Sequence, residues 1–299
     1  MKPKIGLALG SGGARGWCHI GVFRALAEMG IRPDVVCGTS MGALVGAAYV
    51  SDALDALEAF ALALTQMRIG RMLDVSPASG GLIEGRHVMQ ALRDMGFKPT
   101  FSKTTLPFIA VATDLAQGRE IWLRSGDLVE AVRASIGIPG ILSPVWVEGR
   151  WLLDGGMCNP VPVSACRALG AEVIIAVNPN SRLYLPKRGN GVTEAASVYG
   201  IENILSAAPV ALQPLLRDYI GGTGKPARKP PGYLAVLATS IDLMTDQILR
   251  SRLAGDPPNV MVDLDLNDMT FLDFVKAERA IGQGYRAMMN KADILERMI

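Results

Sequence analysis

The chain has 299 residues, of which 33 are Gly, 4 Cys and 2 His, with 49% hydrophobic and 19% charged residues. It is too apolar for a disordered or fibrous chain, which lacks the side chains to offset chain entropy, and too poor in cysteine for a disulfide scaffold. A net charge of +2, from 30 basic and 28 acidic residues well mixed along the chain, carries no electrostatic footprint for nucleic acid, so no nucleic-acid partner is expected.

The first apolar run, residues 5–9, reads as a short buried strand. It stops after five residues at a Gly-rich stretch, too short for the apolar region of a signal peptide. No stretch offers the roughly 18 uninterrupted apolar residues of a transmembrane span. A cytoplasmic protein is therefore expected. A helix over 17–29 follows, with Gly30 as its stop, then a second strand over 35–37 and a helix over 41–50. Strand, Gly-rich turn and helix thus occur twice in fifty residues, which points to an α/β fold with a central, mainly parallel sheet flanked by helices.

Residues 53–97 read as mainly helical, broken by a loop at 76–81. Stretches 107–115 and 120–123 form one hairpin around Gln117-Gly118, and 146–147 with 151–153 another. A helix over 161–169 leads into a buried strand over 171–177. From about 181 the character changes: loops rich in Pro, Gly and basic residues at 181–191 and 221–232 flank apolar helical stretches at 195–216 and 233–253. A strand over 259–266 and a long helix over 272–298 close the chain. No linker separates two domains, so residues 1–299 read as one domain, with a core at about 4–180 and 259–299 and a mainly helical insertion at about 181–258. The insertion is expected to pack over the core or into a homodimer, with a membrane interface as the alternative.

The four thiols, Cys18, Cys37, Cys158 and Cys166, are scattered without metal-like spacing and read as reduced and partly buried. No His/Cys/carboxylate cluster suggests a metal, and no cofactor is expected.

Gly38-Thr39-Ser40-Met41-Gly42 is a G-x-S-x-G between a strand and a helix. Such an elbow holds a nucleophilic serine on a strained turn. Gly38 and Gly42 avoid clashes there, and the helix N-terminus behind Ser40 favours developing negative charge. The pentapeptide also occurs in ordinary Gly-rich turns. A conventional triad would need His19 or His87 as base. His19 sits in the first turn of a helix, where a core or capping role suits it, and His87 sits in a surface-like helical segment. Asp154, in Leu153-Asp154-Gly155-Gly156 after an apolar strand, is the better candidate, although Asp-Gly is also a common turn. Its ordinary pKa of about 3.9 is poorly matched to a serine hydroxyl, so it needs close contact with Ser40 and help from an oxyanion hole.

The run Gly10-Ser11-Gly12-Gly13-Ala14-Arg15-Gly16 exposes backbone N–H groups suited to an anion. It lacks the G-K-[ST] of a P-loop, and no register fits the glycines of a dinucleotide fingerprint. An oxyanion hole is what remains, with Arg15 fixing the loop or contacting a phosphate head group.

Taken together, Gly12-Gly13-Ala14-Arg15-Gly16, Gly38-Thr39-Ser40-Met41-Gly42 and Asp154-Gly155-Gly156, in this order, resemble the patatin-like phospholipases, in particular the bacterial branch akin to the neuropathy-target-esterase catalytic domain. The likeness extends to 17–22, 112–115, 135–144 and 159–162; Ser11 departs from the Gly that usually opens the family's loop. The resemblance implies a three-layer patatin-like fold and a Ser–Asp dyad without His. Ser40 would be the nucleophile, Asp154 the base, and the Gly12, Gly13 and Ala14 amides the oxyanion donors. It also implies hydrolysis of fatty-acyl esters of phospholipids or lysophospholipids, with a lipid or membrane-surface substrate, peripheral membrane contact and independence of calcium. Acyl transfer or general ester hydrolysis by the same dyad, and a lipid-binding or regulatory module with little turnover, are the alternatives.

Overall fold

Side chains of the first strand go alternately to two cores. Ile5, Leu7 and Leu9 join a large apolar cluster and Ala8 joins a second one, as the two-residue period of a strand covered on both faces requires. The computed structural model describes residues 2–72, 74, 83–181 and 233–299. Its strands are β1 (Ile5–Leu9), β2 (Val35–Thr39), β3 (Phe108–Asp114), β4 (Arg119–Leu123), β5 (Val145–Val147), β6 (Arg150–Asp154), β7 (Val173–Asn178) and β8 (Val260–Asp263). They form one eight-stranded sheet in the order β5-β6-β3-β2-β1-β7-β8, with β4 also on β3. β3, β2, β1, β7 and β8 run parallel, and only β4 and β6 oppose them. The sheet is mixed and mainly parallel, with both expected hairpins in place.

One face of the sheet carries α1 (Cys18–Glu28), α2 (Met41–Val50), α6 (Leu128–Ser135) and α9 (Ala277–Met289), whose apolar residues fill the larger core. The other face carries α7 (Val163–Ala168) and the C-terminal half of α8 (Tyr233–Gly255), through Val163, Ala165, Cys166 and Leu249. Three layers result. Helices α3 (Leu54–Leu62), α5 (Arg86–Asp94) and α10 (Ala292–Met298) add Leu57, Ala61, Leu92 and Leu295 to the larger core, and α4 (Gln66–Met72) has no buried residue.

Several boundaries differ from expectation. The helix expected over 17–29 begins as a tight 3-10 turn, Gly13–Trp17, before α1. The second strand runs two residues further, to Thr39, and the last one covers only Val260–Asp263. The closing helix is three pieces: a 3-10 turn at Phe274–Lys276, then α9, then α10 after an interruption at Asn290 and Lys291. Asparagine is a weak helix former, which agrees with the break at that point. Helix α6 was not expected at all. Of the insertion at about 181–258, residues 182–232 lie outside the described residues, as does the loop at 76–81. The expected helix at 233–253 is α8.

The register around β3 brings distant residues together. β3 residues 110 and 111 pair with β4 on one edge while β2 holds the other, and residues 112–114 pair with β4 and β6. β2 and β6 therefore share one edge of β3, end to end: Thr39 lies beside Val111 and Asp154 beside Ala112. The strands run toward each other, so Ser40 and Asp154 leave them at the same place.

Candidate active site

Ser40 occupies the turn between β2 and α2 with φ 56 and ψ −124, a region that side-chain-bearing residues rarely adopt. The turn is tight because nothing larger than hydrogen fits at its flanks. A Cβ at Gly38 would run into the Gly42 carbonyl, and one at Gly42 into the Leu9 carbonyl of the central strand. The strained backbone is held from outside: the Ser40 N–H donates to the Ser135 hydroxyl (2.9 Å), which in turn donates to the Val111 carbonyl (2.6 Å). Ser135, the last residue of α6, is fully buried. The Thr39 hydroxyl donates to the Asn159 carbonyl (2.8 Å), tying the end of β2 to the turn that follows Asp154.

The Ser40 hydroxyl donates to Asp154 Oδ2 at 2.6 Å, and both residues are buried. The carboxylate is held by its surroundings. The Gly156 N–H donates to Oδ1 (2.7 Å), the Asp154 N–H donates to the Gly137 carbonyl (2.9 Å), and the Thr113 hydroxyl donates to the Asp154 carbonyl (2.9 Å). With Oδ1 engaged, Oδ2 faces the serine proton. Burial pushes the Asp154 carboxyl up to about 6, against the lowering effect of the Ser40 and Gly156 hydrogen bonds. The poor match between an ordinary carboxylate and a serine hydroxyl is thereby reduced: the group stays ionised at neutral pH yet binds a proton more readily.

Neither histidine takes that place. The buried His19 donates from Nε2 to the Gly10 carbonyl (2.8 Å), beneath the Gly-rich loop, and burial lowers its pKa to about 4, so it is neutral. His87 is exposed on α5. Cys18, Cys37 and Cys166 are buried free thiols and Cys158 is half-buried. No group of three or more His, Cys, Asp or Glu that could hold a metal ion occurs among the described residues.

The loop after β1 reaches the dyad through Ser11 and Gly12, which line the same small cavity as Ser40 and Asp154. Among the described residues the N–H groups of Gly12 and Gly13 meet no acceptor; Gly12 lines the cavity beside the dyad and Gly13 does not. The Ala14 amide is different from expectation: it donates to the Phe271 carbonyl (2.8 Å) and is not free. Arg15 departs from one of its two expected roles. It does fix the loop, donating from Nε to the Gly12 carbonyl (3.2 Å), but its Nη2 pairs with Asp242 of α8 at 2.9 Å, with side-chain exposures of 2% and 8%. With α8 in place, a guanidinium buried and paired in this way has no face for a phosphate head group.

Sequence reasoning missed Ser135 and Asp242. Each had a signal: a hydroxyl ending an apolar helix must find buried partners, and an arginine in a buried Gly-rich loop needs a counter-charge.

A family model for patatin-like phospholipases matches residues 7–167. An NTE family protein of Mycobacterium bovis is 32% identical, aligned over 97% of this chain and 91% of its own length. Lysophospholipase NTE1 of Pyricularia oryzae is 36% identical over 59% of this chain, which matches 12% of that longer protein. Among solved structures, VipD from Legionella pneumophila aligns with 98% of this chain and 67% of its own at 14% identity and a TM-score of 0.48. No described helix is long and apolar enough to cross a membrane. By the family model and its full-length relatives, this chain belongs to the patatin-like phospholipase family.

Proposed function

We propose that the protein is a lipid acyl hydrolase that cleaves fatty-acyl esters of phospholipids or lysophospholipids through an acyl-Ser40 intermediate. The observation that carries this reading is the buried 2.6 Å hydrogen bond from Ser40 Oγ to Asp154 Oδ2. As Oγ attacks the ester carbon, its proton passes to Oδ2. The carbonyl oxygen becomes an oxyanion, which the Gly12 and Gly13 amides receive, assisted by the N-terminus of α2. Collapse of the tetrahedral species breaks the ester C–O bond, and Asp154 returns the proton to the leaving alcohol. Water then attacks the acyl-serine, giving its proton to Asp154. Release of the fatty acid returns the proton to Ser40. No metal enters this scheme, so EDTA is expected to leave the activity unchanged.

Family membership and the relative named as a lysophospholipase support the lipid class. Acyl transfer to an alcohol or amine would use the same first half-reaction, and adding an acceptor alcohol and comparing ester with free acid measures it. The main test is labelling by a fluorophosphonate together with fatty-acid release from lysophosphatidylcholine. Wild type is expected to show both, and Ser40→Ala and Asp154→Asn neither. Labelling that survives in Ser40→Ala removes the assignment of the nucleophile.

A further inference from the structure

The space beside the dyad is far too small for the substrate class just proposed. Its volume is about 20 Å³, room for about one water molecule, whereas an ester of a fatty acid must lay a long alkyl chain next to Ser40. What fills the space is the N-terminal half of α8. Leu237, Ile241, Asp242 and Thr245 follow one another at helical spacing on its inner side, and Ile241, Asp242 and Thr245 line the cavity.

The apolar contact there is a cluster of its own, separate from the two cores of the sheet. Ile241 packs with Ile138 and Phe271, flanked by Leu237 and Met157. Among the described residues, the buried Arg15–Asp242 pair fastens this part of α8 to the loop after β1. Burial pushes the Asp242 carboxyl upward against the lowering effect of Arg15; the desolvation of both charges offsets much of their attraction, a cost recovered when lifting the half-helix returns Arg15 as well as Asp242 to water. The C-terminal half is fastened differently. Leu249 belongs to the second core, and Arg252 pairs with Glu120 of β4 at 2.9 Å. On the outside of the N-terminal half, Val236, Leu243 and Met244 are 47%, 47% and 48% exposed.

From this arrangement, and resting on the lipid-hydrolase reading above, we infer that the cluster over Ser40 is the acyl-chain site, occupied in this structure by the roof formed by residues 236–245. Contact of Val236, Leu243 and Met244 with a phospholipid surface lifts that half-helix. An acyl chain then takes the place of Leu237 and Ile241 against Ile138, Met157 and Phe271. The lipid surface is the occupant of the outer stripe because the substrate is itself presented there: one helix carries the face that meets the aggregate and the face that blocks the site. The floor of the acyl site belongs to other elements, so lifting the roof exposes apolar walls without disturbing the dyad.

Two measurements test this. In the first, a dodecyl fluorophosphonate labels wild type at least about tenfold faster with phosphatidylcholine vesicles than without, as a minor open state of 10% or less implies. Ile241→Ala raises the vesicle-free rate toward the vesicle rate, and Leu243→Ser with Met244→Ser removes the acceleration while leaving the vesicle-free rate unchanged. Equal rates with and without vesicles, or full acceleration in the Leu243→Ser, Met244→Ser variant, overturn the inference. The second measurement does not depend on Ser40. In an Ile138→Cys, Cys158→Ser variant, reaction of the new thiol with a small methanethiosulfonate is expected to quicken at least tenfold on adding the same vesicles, and an unchanged rate overturns the inference. If that thiol opens to vesicles while no phosphonate labels any variant, the roof stands and the serine-nucleophile reading falls.

Discussion

The floor and the roof of the site are built on different principles. The floor is the meeting of β2, β3 and β6, where Ser40, Ser135 and Asp154 are buried and a Cβ at Gly38, Gly42 or Gly155 would strike backbone. The roof is half of one helix, whose contacts among the described residues are a small apolar cluster around Ile138, Ile241 and Phe271 and the Arg15–Asp242 ion pair, with its outer apolar residues half in water. Chemistry that relies on a 2.6 Å contact needs fixed partners. Admission of a long substrate needs an element that can leave at low cost. The molecule keeps the two requirements on separate pieces of chain.

The sharpest break of this contrast is Gly42→Ala against Leu237→Ala. A Cβ at position 42 would meet the Leu9 carbonyl, and moving a central strand costs about 3 kcal/mol or more. Little soluble folded protein is expected. Leu237, half-buried on the roof, should cost about 1–2 kcal/mol in thermal denaturation, less than a fully buried leucine. Equal losses would erase the distinction between floor and roof.

Asp154 gives the next largest effect. Its folded pKa of about 6 lies above the ordinary 3.8. Stability from this group is therefore fully present below about pH 3.8 and lost as pH rises through 6, in all about 3 kcal/mol. Asp154→Asn, which ionises at no pH, should melt above wild type at pH 8, with the gap closing toward pH 4. In the same window kcat/KM on a monomeric ester should fall about tenfold per unit below pH 6 and level off above it, since the base acts ionised. A rate that is flat between pH 5 and 8 would separate Asp154 from the chemistry.

Ser135→Ala sharpens the comparison from within the floor. It leaves the Ser40 N–H without its acceptor, which costs about 1–3 kcal/mol. The expected readout is a 5- to 100-fold fall in kcat with KM nearly unchanged, because the strained elbow loses its support while the acyl site does not. A KM effect alone would assign Ser135 to binding. The smallest effect belongs to the roof's outer stripe: Val236→Ser should shift stability by less than about 0.5 kcal/mol, measured by denaturant midpoint.

Much of this was legible in local patterns. Strand β1, helix α2, both hairpins and the three Gly-rich turns follow from short-range periodicity and from backbone positions where no side chain fits. Helix α6 was not legible, because its eight residues offer only two turns of pattern. Ser135 went unassigned with it. The closing helix looked continuous because the weak point at Asn290 is a small local preference. Ala14 looked like a third donor because nothing near it in the chain announces the Phe271 carbonyl that takes its N–H.

The sequence by itself determined the tight turn at Ser40, the Gly-rich loop after β1 and the Asp-Gly-Gly turn. Their requirements are steric and lie within a few bonds, so residue type at fixed spacing is enough. Only the tertiary structure decided that Ser40 meets Asp154, that the carboxylate is more basic than usual, and that Arg15 pairs with a helix. The first depends on two strands sharing one edge of β3 end to end. The second depends on burial, which is a property of everything packed around a group. The third depends on a charge 227 positions away in the chain. These are sums over the whole fold, and no window of sequence contains them.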